Sequence, residues 1–97
     1  MKIFKDSSLK EEVTTLDLGI VQAGSSKQFE FYIYNDTEAD LMELNFSIDN
    51  NEIKIISTFK ELGSKKSDKL IIEWSPSITI KKGLSTKLNI NGLELWK

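Results

Sequence analysis

Large apolar side chains in this chain return at every second residue, and that period constrains its fold more than any other feature. Phe29, Phe31 and Ile33 are interleaved with Gln28, Glu30, Tyr32 and Tyr34. In an extended backbone successive side chains point to opposite faces, so the first three share one face, which has to be buried. The alternation recurs three times. Leu44, Phe46 and Ile48 alternate with Glu43, Asn45 and Ser47; Leu70, Ile72 and Trp74 with Ile71, Glu73 and Ser75; and Leu84, Thr86, Leu88 and Ile90 with Ser85, Lys87 and Asn89. Weaker strands are predicted over residues 13–18, 53–59 and 93–96. The one helix candidate is residues 8–13, with Leu9 and Val13 at i and i+4, a spacing equally compatible with a short turn in an irregular lead-in over 1–12.

Turn chemistry separates these runs: Ala23-Gly24-Ser25-Ser26, residues 35–40, Asp49-Asn50-Asn51, Leu62-Gly63-Ser64, residues 76–83 and Asn91-Gly92. Gly19 and Gly24 suit turns needing positive φ, Asn35 a strand end whose backbone groups want a cap, and Pro76 a strand stop, since it lacks an N–H. About seven short strands with polar turns predict an all-β protein, an antiparallel immunoglobulin-like β-sandwich, as a single domain over 1–97. Ninety-seven residues leave room for one core only. Open strand edges are templates for pairing, so self-association through edge strands is expected unless charges such as Lys65-Lys66 and Lys81-Lys82 blunt them.

Composition narrows the function. The chain has no Cys and no His, which removes disulfides, the thiolate nucleophile, the commonest general base and the usual zinc ligands. A net charge of -2, with all thirteen basic residues Lys and none Arg, speaks against nucleic acid, which is usually read by a basic face and bidentate Arg. Met1-Lys2-Ile3-Phe4-Lys5-Asp6 carries no apolar run and no small-residue cleavage site, and no stretch approaches membrane-spanning length, so neither a secretory signal nor a membrane partner is expected. Synthesis in a cytoplasm-like compartment follows, with departure only as part of a particle.

Few residue groups suggest site chemistry. Asp36, Glu38 and Asp40 alternate in one turn and Asp49 to Glu52 form a second acidic loop; both read as solvated turns, and in the first the glycine and glutamate of an EF-hand loop are replaced by Leu41 and Ser47. Leu62-Gly63-Ser64-Lys65-Lys66-Ser67 lacks the spacing of a phosphate loop. No catalytic, cofactor or metal-binding residue is assigned. Trp74 continues an apolar face and reads as the core tryptophan of a sandwich. Tyr32 and Tyr34 lie on the face opposite Phe31 and Ile33, and with Trp96 they are the candidate protein interface, an aromatic patch of the kind that marks binding surfaces; the alternative is that loops cover them.

Leu16-Asp17-Leu18-Gly19-Ile20-Val21, then Gly24, then a strand ending at Asn35, resembles the opening of abnormal-spindle/Hydin (ASH)-type immunoglobulin-like domains, which are related to major sperm protein and pilus-chaperone sandwiches. The resemblance continues in Leu70-Ile71-Ile72-Glu73-Trp74-Ser75-Pro76, Gly83 and the strand over 84–90, and covers residues 14–92. Leu18 stands where the family usually has Phe. The resemblance implies a non-catalytic domain that docks onto other proteins. A non-enzymatic protein-binding module is therefore expected, an accessory subunit of a larger assembly such as a phage capsid or tail. An ASH-type cellular adaptor and a Ca²⁺- or carbohydrate-binding sandwich are the alternatives.

Overall fold

The computed structural model describes residues 1–77 and 84–96. Its elements are β1 (Lys2–Phe4), β2 (Glu12–Val13), β3 (Leu16–Gly19), β4 (Lys27–Tyr34), β5 (Asp40–Ile48), β6 (Ile53–Ser57), β7 (Ser67–Trp74), β8 (Leu84–Thr86) and β9 (Leu88–Leu95). The chain is all-β, with no helix among the described residues. Every pairing is antiparallel.

Five strands form one sheet in the order β2-β1-β4-β7-β6. Its spine is β4 against β7, in register from Lys27 opposite Trp74 to Tyr34 opposite Ser67. Phe31 and Ile33 thereby share a face with Leu70, Ile72 and Trp74, and the last four are fully buried. Each such side chain contributes about 1.5–3 kcal/mol by leaving water. Two shorter ladders, β3 with β8 and β5 with β9, supply the rest of the same core: Leu16 and Leu18 from β3, Leu41, Leu44 and Phe46 from β5. Only Lys87 separates β8 from β9, and Leu84, Leu88 and Ile90 keep one alternation across that break as half-buried side chains against the core.

Several expectations change. The lead-in is not irregular throughout, because Ile3 opposite Ile33 brings β1 onto the edge of β4. The helix candidate over 8–13 is a turn: the Asp6 carboxylate accepts the N–H groups of Lys10 and Glu11, and Leu9 takes φ +57°, which no helix allows. The strand over 13–18 divides into β2 and β3, since the chain crosses from one sheet to the other between Val13 and Leu16. β6 stops at Ser57, leaving Phe59 free to reach Phe46 edge-to-face with ring centroids 5.0 Å apart.

The largest change is at Asn91-Gly92, which make no turn. β9 runs straight through them to Leu95, so the strand expected over 93–96 is continuous with the second half of the one expected over 84–90, whose first half is β8 in the ladder with β3. The cause lies on β5, where Glu43 and Leu44 together stand opposite Gly92 and the register shifts. Glu43 takes φ +52° to make this bulge. A Cβ on Gly92 would lie 2.7 Å from Leu44 Cδ2 and 3.1 Å from Met42 O, so glycine is needed here for close approach rather than for turning. The Lys81-Lys82 pair and most of the turn expected over 76–83 lie outside the described residues.

Candidate protein interface

The outer edge of β5 is closed. Leu41 N–H donates to Leu62 O and Leu62 N–H to Leu41 O, each at 2.9 Å, while Leu44 N–H donates to Lys60 O. Leu62 is 4% exposed, and Phe59 seals Phe46 from the same side. Asn35 locks this corner. Fully buried, its amide nitrogen donates to Ala39 O, Leu62 O and Gly63 O at 2.8, 3.1 and 3.2 Å, while its oxygen accepts from Thr37 N–H and Oγ1. Asn35 is thus the strand-end cap read in the sequence, with its polar groups satisfied as burial requires.

Among the described residues, the opposite edge, along β9, is open: β9 has one strand neighbour, β5. Because Leu41 and Leu44 turn their N–H groups to Leu62 and Lys60, Met42 and Asn45 turn theirs toward β9. Their opposites Leu93 and Asn91 therefore face β5, and by alternation the N–H and C=O groups of Leu88, Ile90 and Glu94 point outward from the ladder. Side chains follow the same division. Leu93, opposite Met42, and Leu95, opposite Asp40, are 59% and 51% exposed, and Trp96 beyond them is 61% exposed. Trp96 Nε1 donates to Glu94 Oε2 at 2.9 Å, so both side chains lie to one side of the strand. Leu88 and Ile90 face the core yet stay half-buried, whereas Leu70 and Ile72 on the central strand are fully covered.

The three aromatic residues of the expected patch are not on one face. Tyr32 and Tyr34 lie on the outer face of the five-stranded sheet, where Tyr32 stands opposite Phe4 and Lys69, and Tyr34 opposite Lys2 and Ser67. With neighbours on both sides they are half-buried. Phe4, in the same row, is 8% exposed although it is no part of the main core. Trp96 follows a strand of a different sheet. Leu93 and Leu95, in the weak strand expected over 93–96, are exposed on the other face of β9 and were not among the expected interface residues; the available signal was two leucines flanking Glu94.

The acidic loops are tied into the fold one carboxylate at a time. Asp36 Oδ1 lies 3.1 Å from the Met1 amino group, Glu38 Oε1 lies 3.4 Å from Lys65 Nζ, and Asp40 Oδ1 accepts the N–H of Ser64 at 2.9 Å. The amino group beside Asp36 holds its carboxyl below the ordinary value of 3.8. Glu52 is also held low, chiefly by the hydroxyl and N–H of Ser77 donating to Oε2. Among the described residues the buried Trp74 Nε1 has no hydrogen-bond partner within bonding distance, but it lies near enough to Glu52 to favour its ionised form. No three Asp or Glu side chains among the described residues converge as a metal site would need, no cavity opens among them, and no described helix is long and apolar enough to cross a membrane.

Comparison with protein-family models, curated proteins and solved structures finds no match to this chain.

Proposed function

We propose that this chain is a non-enzymatic, immunoglobulin-like β-sandwich that binds protein, and that it serves as an accessory subunit of a larger assembly, with a phage capsid or tail as the assembly in view. The strand order β1-β4-β7-β6 supports the fold reading, because it is the order of strands A, B, E and D in one sheet of an immunoglobulin domain. On that scheme β5 and β9 are strands C and F, and strand G has no counterpart beside β9 among the described residues. The observation that carries the functional reading is the exposure of Leu93 and Leu95 on one face of that unpaired edge and of Trp96 on the other, each more than half exposed. Exposed apolar side chains beside unpaired backbone groups are the raw material of strand addition, in which main-chain bonds give affinity and side chains give specificity.

Affinity capture from lysate of the source, with cross-linking and mass spectrometry, tests the reading. The parent chain should hold capsid or tail proteins through cross-links near β9, and Leu93→Asp should release them while Tyr34→Ala keeps them. Identical recovery by the parent and Leu93→Asp, or no recovery by either, contradicts it. A rise in melting temperature on adding millimolar Ca²⁺ or a glycan would point to a small ligand instead.

A further inference from the structure

We propose that the open edge of β9 is paired with β9 of a second copy, antiparallel, about a two-fold axis through Leu93. The inference rests on reading β9 as the binding surface and names what occupies it.

Among the described residues, the outer edges of β2, β6 and β5 carry devices that prevent pairing. β2 is two residues long and includes Glu12; β6 carries Lys54 and an irregularity between Ile55 and Ser57; the outer edge of β5 is covered by residues 60–62. Short length, lysine, bulges and covering segments are the usual protections. β9 has eight residues with Glu94 as its only charge and exposes its large apolar side chains. An edge left so unprotected is suited to being paired.

The strand is complementary to itself in one register. With the axis at Leu93, that residue meets its own counterpart, Glu94 meets Gly92 rather than another charge, Leu95 meets Asn91, and Trp96 meets Ile90. Residues directly opposite in an antiparallel pair share a face. Trp96 therefore lies beside the half-buried Ile90 of the second copy and covers the core where a single chain leaves it open. The backbone agrees with this register. Ile90 and Glu94 point their N–H and C=O groups outward and form the hydrogen bonds, whereas Leu93 turns its own toward β5. Leu93 and its counterpart thus become a non-hydrogen-bonded pair with Cα atoms about 4.5 Å apart. The two β5–β9 ladders join into one sheet, and the contact closes on itself by symmetry instead of propagating into fibres.

Because the chain has no cysteine, single substitutions read the register directly. In the full chain, Leu93→Cys should cross-link to a disulfide dimer in high yield under mild oxidation, since the Cα separation of that pair suits a disulfide. Leu95→Cys, which faces Asn91, should cross-link several-fold less. The parent should move from the mass of one chain to that of two in sedimentation as concentration rises, and Trp96→Ala should remain single over the same range with its melting curve unchanged. Glu94→Pro, which removes an outward N–H and no bond to β5, should also stay single and folded. A parent that is one chain throughout, or equal cross-linking at positions 93 and 95, overturns the second-copy proposal. If a single-chain parent still captures another protein and loses it on Leu93→Asp, the second copy is wrong and the protein-binding reading stands.

Discussion

The two sides of the β5–β9 ladder have different fates. On the β5 side, residues 59–63 return to give Leu41 a backbone partner, Phe46 an aromatic neighbour and Asn35 two of its three carbonyl acceptors. On the β9 side nothing described returns, and Leu88 and Ile90 remain half-wet while Leu93, Leu95 and Trp96 face solvent. The contrast does not come from hydrophobicity, since the open side is at least as apolar as the closed one. It comes from connectivity: a loop passes β5, whereas β9 is the last strand described. The β5 flank is covered by its own chain, and the β9 flank is the one the proposed partner would cover.

Substitution at equivalent places should expose that division. Leu62→Ala on the closed side removes a side chain 4% exposed and should cost about 3 kcal/mol in denaturant unfolding, whereas Leu93→Ala on the open side, measured in dilute protein, should change stability by less than about 0.5 kcal/mol. Equal losses would mean that both sides are core. Gly92→Ala comes next. Its new Cβ would press on Leu44 Cδ2 at 2.7 Å, and a loss of about 1–3 kcal/mol is expected from that overpacking; a neutral result would show that the bulge at Glu43 and Leu44 relaxes freely and does not fix the course of β9. The smallest effect is that of acid. Asp6, Asp36 and Glu52 are held below their ordinary values in the folded chain, so the stability they contribute is present at neutral pH and is lost as pH falls below about 4, through their lowered folded values. None of them lies on β9. A shallow decline in unfolding midpoint below about pH 4, with no change in the response of position 93, is expected; rising stability on acidification would contradict the sign.

Where local sequence decided the structure, it was legible. Phe31 with Ile33 and Leu70 with Ile72 and Trp74 alternate because one face of each strand is core, and they are buried as that pattern demands. Gly19 and Gly24 adopt φ +66° and +81°, and Asn35 caps the strand it ends. Legibility failed where a distant segment overruled local chemistry. Asn91-Gly92 carries a hairpin turn signal, but Gly92 is held in an extended strand by the bulge that β5 presents to it. Reading that dipeptide as a turn supplied a seventh strand, and with it a covered edge that the described chain does not have. The aromatic patch failed for a related reason, since Tyr34 and Trp96 share exposure rules but not a sheet. Periodicity assigns a side chain to a face and leaves open which sheet that face belongs to.

Residue-resolved hydrogen exchange along β9, in dilute and in concentrated protein, tests the central claim most directly. In dilute protein the amides of Asn91 and Leu93, which face β5, should be protected, while those of Ile90 and Glu94 exchange freely; at high concentration Ile90 and Glu94 should become protected as the second strand pairs. Protection of Ile90 and Glu94 already in dilute protein would mean that the edge is covered within one chain, and the account of β9 as an open binding edge would be wrong.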